Sequence, residues 1–233
     1  MALAILGDSL ERGCAALLPQ DCVLCGSRSK TLLCAPCASE LPRLPAALCP
    51  VCALPAPGGK VCGSCQTQPP SFDATLAAFR YGFPLDRLVQ ALKYQHRLAL
   101  AAWFARAMLA GPRPTADCVV ALPLSTQRLR LRGFNQAVEV ARPVARALGL
   151  PLHLTACSRH TDTVAQASLP WRARQSNVRG VFDVARDLSG CAVLVVDDVM
   201  TSGASLNEFA RALKKSGALR VSNWVVARAL RTP

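Results

Sequence analysis

The most constraining feature of this sequence is an apolar run at residues 193–196 that leads into two acids, a hydroxyl-rich turn and a second apolar pattern. Three of its four residues are β-branched, which is typical of a strand buried on both faces of a parallel sheet. Asp197 and Asp198 end the predicted strand, and residues 201–205 are Thr-Ser-Gly-Ala-Ser. Apolar residues then recur at helical spacing over 206–215. This order of strand, acidic pair, hydroxyl loop and helix is typical of an α/β fold.

The order also places polar groups where an α/β sheet binds ligands. The carboxyl ends of parallel strands and the first N–H groups of the following helices share one crevice. Backbone donors and the helix dipole favour a phosphate there, Gly203 allows close approach, and the hydroxyls of residues 201–205 add donors. Asp197 and Asp198 are acceptors, which suit a vicinal diol. A phosphate beside a diol indicates a ribose 5-phosphate.

Residues 193–205 resemble the phosphoribosyl pyrophosphate (PRPP) signature of type I phosphoribosyltransferases, in which hydrophobic residues precede two acids and a Thr/Ser-Gly-x-Thr/Ser loop. The resemblance implies that Asp197 and Asp198 contact the ribose hydroxyls. It also implies that the 5-phosphate is held by the loop residues Thr201, Ser202, Gly203, Ala204 and Ser205. Serine stands at 202 and 205 where threonine is commoner, which keeps the hydroxyl. The alternative is an ordinary strand-to-helix turn with an acidic edge, as in a receiver domain or a nucleotide hydrolase.

Eight of the twelve cysteines form four Cys-x-x-Cys pairs, a spacing typical of metal ligands rather than disulfides. The eight are Cys22, Cys25, Cys34, Cys37, Cys49, Cys52, Cys62 and Cys65. Four thiolates around one zinc ion leave no open position, so two structural zinc ions are predicted. The spacing leaves the pairing open, because consecutive pairs give tandem ribbons and alternate pairs give a cross-brace. An iron–sulfur cluster is the alternative metal site.

The cysteines also bear on the compartment, because reduced thiols are typical of the cytoplasm. Residues 1–12 lack a basic start and contain two acids, so they make a poor signal peptide. No apolar run of membrane-spanning length is free of charges. We therefore expect a cytoplasmic protein without a membrane span.

The formal charge is +13, and residues 72–233 hold 22 basic and 10 acidic residues, a balance that favours polyanionic partners.

A Pro-Pro break at residues 69–70 divides the chain into two predicted domains. Residues 1–70 are expected to form an amphipathic helix over 2–18 and the zinc-ribbon module. Residues 71–233 are expected to form the phosphoribosyltransferase-like domain, a parallel sheet flanked by helices. Strands of that domain are predicted within residues 73–81, 117–125, 181–184, 193–196 and 220–229.

Helices and loops are predicted between these strands. A long helical region is expected over 85–109, with Leu88, Leu92, Ala99 and Trp103 on its inner face. A kink or break is expected at Pro143, inside the helical pattern that follows the second strand.

Two further segments are interpreted as loops. Residues 126–137 carry three arginines at alternate positions, and arginine forks suit pyrophosphate oxygens; a solvated basic turn is the alternative. Residues 159–178 lack periodicity and are expected to form a mobile loop that closes over an anion.

The four isolated cysteines are expected to be buried fillers: Cys14, Cys118, Cys157 and Cys191.

Taken together, the motifs of this chain resemble the ComF family, which includes ComFC-like and GntX-like members. The motifs are the zinc knuckles, Lys93-Tyr94, Pro123-Leu124-Ser125, the run 128–136, the Arg159/Thr163/Gln166 and Arg174/Asn177/Phe182 pattern, and the PRPP loop. The resemblance implies a zinc-binding N-terminus on a phosphoribosyltransferase domain, in bacterial proteins associated with DNA uptake during natural transformation. It also implies that Lys93 lies beside the active site. Residues 163–166 are Thr-Val-Ala-Gln, where the family usually has Thr-Pro-x-Gln.

Two functions are consistent with these features. The first is a Mg²⁺-dependent PRPP-binding transferase, in which a nucleophile displaces pyrophosphate from ribose C1 through an oxocarbenium-like state. Asp197 and Asp198 would position the sugar, while the Ser125 loop with Arg132 or Arg159 would neutralise the leaving group. The second is an accessory protein of DNA uptake that contacts single-stranded DNA or competence partners, with the PRPP pocket as a sensor or relic. Few aromatic residues are present, which weakens direct single-strand binding.

Overall fold

A computed structural model of the chain describes residues 20–159 and 180–230. Its strands are β1 (Gln20–Asp21), β2 (Arg28–Ser29), β3 (Ala74–Arg80), β4 (Cys118–Ala121), β5 (Cys157–Arg159), β6 (Phe182–Val184), β7 (Ala192–Met200) and β8 (Arg220–Arg228). Its α-helices are α1 (Ala35–Ser39), α2 (Gly63–Thr67), α3 (Leu85–Tyr94), α4 (Ala99–Leu109), α5 (Thr126–Arg132), α6 (Gln136–Leu148) and α7 (Ala204–Lys215). The helix predicted over 2–18, the loop residues 160–178 and Cys14 lie outside the described residues.

The central element is a four-stranded, fully parallel sheet with the order β3-β8-β7-β4. Residues 193–196 of β7 are fully buried, as their apolar run predicts, so the α/β fold class is confirmed. β7 is longer than predicted, because it continues through Asp197 and Asp198 to Met200 while pairing with β8. The two acids therefore lie within the last residues of the strand, at its carboxyl end.

The two faces of the sheet carry different helices. Leu194 and Val196 of β7 lie in a core cluster with α3, α4 and α6, while Val193 and Val195 lie in a second cluster with α7. The helices that follow β4 and β7 thus cover opposite faces. The gap between the carboxyl ends of these two strands is therefore a topological switch point, where open α/β sheets form a binding crevice.

The two halves of the cysteine-rich segment also pack on different faces. The first half adds three buried residues to the cluster of α3, α4 and α6: Cys22, Leu33 and Leu41. The second half adds three to the cluster of α7: Cys49, Cys52 and Ala56. Both halves bond to edge strand β3, because Arg80 N donates to Pro42 O at 3.0 Å and Thr75 N donates to Pro50 O at 3.1 Å. The division into domains at residue 70 stays a prediction.

Residues 85–109 form two helices rather than the single helical region predicted. His96 has a φ of 54°, a left-handed conformation that a right-handed helix does not allow. Leu88 and Leu92 are buried as predicted, whereas Trp103 is half-buried and Ala99 is exposed. Within the described ranges, no helix is both long and apolar enough to cross a bilayer.

The break expected at Pro143 and the loop expected over residues 126–137 were wrong. α6 runs through Pro143 without a break, although proline supplies no N–H to the carbonyl of Glu139. Val140, Ala141 and Val144 around the proline are fully buried, while Arg142 directly before it is exposed, and the burial of this apolar face favours a continuous helix. The loop predicted over 126–137 is helical up to Arg132.

The isolated cysteines are less uniform than expected. Cys118 is buried as predicted, while Cys157 and Cys191 are only half-buried. Burial, with a smaller effect of Cys118, raises the pKa of Cys157 to about 12. That thiol therefore stays protonated and unreactive near neutral pH.

Candidate functional site

A crevice of about 160 Å³ opens at the carboxyl edge of the sheet, between the ends of β4 and β7. Its walls are the segment after β4, the end of β7 with the first turn of α7, and single side chains from other elements. Nine residues singled out from the sequence line it: Lys93, Arg132, Arg159, Asp197, Asp198, Thr201, Gly203, Ala204 and Ser205. Two others, Ser125 and Ser202, are not among the lining residues.

The acid pair is the most buried polar feature of the crevice. Asp197 and Asp198 are 7% and 3% exposed. Both side chains line the crevice, and a side-chain hydrogen bond joins the two carboxyl groups. Lys93 of α3 forms an ion pair with Asp198 through Nζ and Oδ2. Gln136 of α6 donates from Nε2 to the other carboxylate oxygen of Asp198 at 3.5 Å.

This environment gives the two acids opposite titration behaviour. Burial raises the pKa of Asp197 well above its usual range, and the negative charge of Asp198 raises it further. Burial is the largest single effect on the pKa of Asp198 and raises it, but the charge of Lys93 together with hydrogen bonds from Lys93, Asp197 and Gln136 outweighs burial, so the net direction is down. The pKa of Lys93 is raised, because attraction to Asp198 outweighs the lowering by burial. Asp197 therefore holds a proton more tightly than Asp198, and the pair offers both a hydroxyl donor and acceptors to a ligand.

The turn after β7 is shaped for close approach to a ligand. Gly203 has a φ of 81° and precedes the first residue of α7. The backbone conformation therefore favours glycine, and a Cβ here, 2.6 Å from Cε of Met200, would also require the end of that flexible side chain to shift. The hydroxyl of Ser202 accepts from Ala204 N at 3.3 Å, which turns that side chain to the helix start. The first turn of α7 leaves backbone N–H groups without intrahelical acceptors, as an anion site requires.

α5 forms the wall opposite α7, and Ser125 explains why this segment is helical. The Ser125 hydroxyl accepts from Arg128 N at 3.4 Å and so caps the helix. Arg128 and Arg132, four residues apart on one face, line the crevice, while Arg130 is exposed. The i, i+4 spacing of Arg128 and Arg132 is helical, but Arg130 between them gives an alternating pattern, and the segment was predicted as a loop.

Arg132 is held in place by two residues that the sequence did not single out for the site. Its guanidinium donates to Gln136 Oε1 at 2.9 Å and to the Tyr94 hydroxyl at 3.2 Å. It also stacks over the Tyr94 ring, with Cζ 5.1 Å from the ring centroid. Gln136 thus connects Arg132 to Asp198. In the sequence, Gln136 is marked only as the polar first residue of an amphipathic helix. Its burial depends on tertiary contacts, which the sequence pattern does not show.

Arg159 reaches the crevice from the end of β5. It is 6% exposed, and its guanidinium lies 5.6 Å from the centroid of the Phe182 ring. A third arginine therefore joins Arg128 and Arg132 around the crevice. Such a set of planar cations suits the oxygens of a phosphate or pyrophosphate.

The eight cysteines form two separate clusters, which decides the pairing that the spacing left open. The first cluster is Cys22, Cys25, Cys34 and Cys37, and the second is Cys49, Cys52, Cys62 and Cys65. Consecutive knuckles therefore pair, as in tandem ribbons. The sulfurs of each cluster lie within 4.8 Å of one another. A zinc ion with four bonds of about 2.3 Å needs sulfurs about 3.8 Å apart, and Cys25 with Cys34 and Cys52 with Cys62 lie at 3.7 and 3.6 Å.

Backbone amides complete both clusters in the same way. Cys34 N donates to Cys22 Sγ at 3.4 Å, and Cys62 N donates to Cys49 Sγ at 3.3 Å. Burial raises the pKa of the Cys22 thiol, but bonds from backbone N–H groups outweigh it and lower the pKa to about 6. Four thiolates without an open position fit a structural zinc ion, and the two clusters form two such sites.

Comparison with known proteins agrees with these two parts of the chain. Residues 135–232 match the model of the phosphoribosyl transferase domain, and residues 14–66 match that of the double zinc ribbon domain. The DNA utilization protein YhgH of Salmonella typhi is 33% identical over 207 residues, which cover 85% of this chain and 91% of the relative. Competence protein F of Haemophilus influenzae is 30% identical over 179 residues, covering 72% of this chain and 78% of the relative.

Among solved structures, the chain is similar to glutamine phosphoribosylpyrophosphate amidotransferase from B. subtilis. The identity is 18% and the TM-score is 0.39, over 55% of this chain and 26% of that chain.

Proposed function

Since the chain belongs to the ComF family, with a double zinc ribbon and a phosphoribosyltransferase domain, we propose that its crevice binds PRPP with magnesium and transfers the phosphoribosyl group to an acceptor. The observation that carries the proposal is the buried acid pair, Asp197 and Asp198, at the switch point and directly before the Gly203 turn. The acid pair suits the ribose hydroxyls, and the helix start that follows it along the chain suits the 5-phosphate. Together they suit the two parts of a ribose 5-phosphate.

Each part of PRPP has a counterpart in the crevice. The ribose hydroxyls would bond to Asp197 and Asp198, which offer a donor and acceptors. The 5-phosphate would lie against residues 201–205 and the first turn of α7. The pyrophosphate would face Arg128, Arg132 and Arg159, whose charge neutralises it as it leaves.

The proposed reaction is a displacement at ribose C1. The bond from C1 to the pyrophosphate oxygen breaks, and its electron pair leaves with pyrophosphate. An electron pair of the acceptor forms the new bond to C1. The protein contributes by fixing the sugar and by stabilising the charge that develops on the leaving group.

The chemistry of the donor set fits magnesium that arrives with the substrate. The oxygen donors nearest the sugar are Asp197 and Asp198, and Lys93 already neutralises one of them. Magnesium is usually bound through one or two carboxylates together with substrate phosphates. When bound, it would neutralise pyrophosphate oxygens.

Calorimetric titration of PRPP with magnesium into the zinc-loaded protein tests the proposal. We expect saturable binding that is lost in the Asp197→Asn/Asp198→Asn variant. Glu139→Gln is the matched control, because it removes a carboxylate from α6 outside the crevice and should leave the affinity unchanged. Absence of binding by the unaltered protein, or equal binding by the double variant, would refute it.

A second function, contact with single-stranded DNA, is favoured by one observation. α5 combines Arg128 and Arg132 at the crevice with exposed Arg130 and Leu131, beside the half-buried Phe134. Two relatives carry names that refer to DNA utilization and competence. We propose that this basic helix contacts phosphates of a strand that passes the crevice.

The two functions separate by mutation. Arg130→Gln should weaken DNA binding at low salt but leave PRPP binding intact, because Arg130 does not line the crevice. Replacement of all three arginines should reduce the slope of log K for DNA binding against log salt concentration. The slope should fall by about one unit for each phosphate contact that is lost. Unchanged DNA binding by the triple variant would exclude the helix as the contact surface.

A further inference from the structure

Arg228, the last residue of β8, is a buried cation that bonds to four backbone carbonyls. It is 1% exposed. Its Nε donates to Cys52 O at 2.8 Å. Its Nη1 donates to Met200 O at 2.9 Å, to Ala229 O at 2.7 Å and to Thr201 O. A guanidinium keeps its charge when buried and presents donors in a rigid plane, so it fixes the relative positions of the carbonyls it joins.

The carbonyls that Arg228 joins belong to two functional parts of the molecule. Cys52 is a ligand of the second cysteine cluster. Met200 and Thr201 form the turn that leads into Gly203 and the first turn of α7. Arg228 therefore bridges the second zinc site and the turn proposed to hold the 5-phosphate.

Neighbouring contacts reinforce the same bridge. Phe72, which follows the second ribbon, packs in the core cluster of Cys52 and Met200. Ser71 N donates to Asn207 Oδ1 of α7 at 2.6 Å. The first cluster is placed differently, because Cys22 lies in the core of the opposite face of the sheet.

We propose that Arg228 is a positioning residue that couples the second zinc site to the phosphate turn. Zinc fixes the position of the knuckle that carries the Cys52 carbonyl. Because Arg228 bonds to this carbonyl, it restrains the Met200 and Thr201 carbonyls relative to the knuckle. The first zinc site does not take part in the coupling. The identity of the ligand rests on the proposed function, whereas the coupling itself is a property of the ligand-free protein. Coupling between two sites is reciprocal, so a ligand at the turn must also stabilise the second zinc site.

Hydrogen–deuterium exchange of the zinc-loaded, ligand-free chain tests whether Arg228 holds the turn in position. Arg228→Lys keeps a charge but cannot span the carbonyls, and the matched control is Arg220→Lys at the exposed start of the same strand. With zinc content verified at two ions in each sample, we expect amides of residues 200–206 to exchange about fivefold faster or more in Arg228→Lys only. Unchanged exchange of these amides in a folded Arg228→Lys protein would overturn the proposal.

Zinc release from the unaltered protein gives a second test that needs no variant. A chromogenic chelator in excess follows the loss of both ions, with and without PRPP and magnesium. We expect two phases, of which one is slowed by the ligand. If saturating PRPP changed the rate of neither phase of zinc release, the result would contradict the coupling. If calorimetry shows that PRPP does not bind, the proposed function fails, and the exchange experiment alone decides the role of Arg228.

Discussion

Lys93 determines the charge balance of the crevice, because it is the cation paired with a buried carboxylate of the acid pair. Its partner Asp198 is ionised more readily than usual, while neighbouring Asp197 retains a proton more tightly. Adjacent residues of one strand thus differ in their affinity for a proton, because Lys93 and Gln136 bond to Asp198, while burial and the charge of Asp198 act on Asp197. Two like acids in such different surroundings are typical of binding and catalytic sites.

We expect Lys93→Met to destabilise the protein by about 3–5 kcal/mol near neutral pH, because it leaves a buried carboxylate without its cation. Lys214→Met is the matched control, since it removes an ion pair of 2.8 Å with Asp73 whose side chains are both about one third exposed. Loss of that pair should cost at most about 1 kcal/mol. Urea unfolding of the zinc-loaded proteins measures both values, and equal losses would contradict the importance assigned to Lys93.

Asp197→Asn should change how stability depends on pH. The folded protein binds the Asp197 proton more tightly than the unfolded chain, so the wild-type stability falls as pH rises from the ordinary aspartate pKa towards the raised one. Asparagine does not titrate, so the variant should gain stability relative to wild type over this interval, by up to about 1.4 kcal/mol per pH unit. Unfolding at about pH 5 and about pH 8 measures the difference, which would be constant if Asp197 titrated normally.

The helices and strands that the sequence predicted are those whose residues show a clear local pattern. The β7 run, the acid pair and the Gly203 turn are contiguous, and their order alone indicates the crevice. α5 was missed because its cap at Ser125 acts through one hydroxyl, and because Arg130 turns the helical i, i+4 spacing of Arg128 and Arg132 into an alternating pattern. Gln136 and Arg228 were missed because their roles depend on partners 62 and 176 residues away. No local pattern encodes such contacts.

Gly203→Ala should weaken PRPP binding and destabilise the fold by about 1–2 kcal/mol, because alanine is strained at this φ and its Cβ meets Met200. Gly190→Ala is matched to it, since Gly190 has a φ of 74° but no neighbouring atom within 4 Å of a new Cβ. The control should lose similar stability and keep its affinity for PRPP. Thermal unfolding and calorimetry of both variants provide the comparison. Similar loss of affinity in both would show that the effect is not local to the turn.

At the scale of the molecule, the two ribbons are parts of the core rather than appended modules. Ligands of the first cluster lie in the core of one sheet face, and ligands of the second lie in the core of the other. Both ribbons also bond to β3 through Pro42 and Pro50. The zinc sites therefore support the sheet that carries the crevice.

Removal of zinc by a chelator should consequently destabilise the sheet that carries the crevice. Structural zinc contributes folding free energy directly, and here its ligands pack on the sheet. Hydrogen exchange of β7 and β8 peptides before and after chelation measures the effect. Unchanged protection of these central strands in the zinc-free protein would show that the ribbons are energetically independent.

We propose that the carboxyl edge between β4 and β7 holds the phosphoribosyl group of PRPP. Crystals of the zinc-loaded protein grown with PRPP and magnesium test it most directly. We predict density for the 5-phosphate against residues 201–205 and the ribose hydroxyls within hydrogen-bond distance of Asp197 and Asp198. Density for PRPP at another surface, with Lys93 and Gln136 still bonded to Asp198, would refute this placement of the ligand.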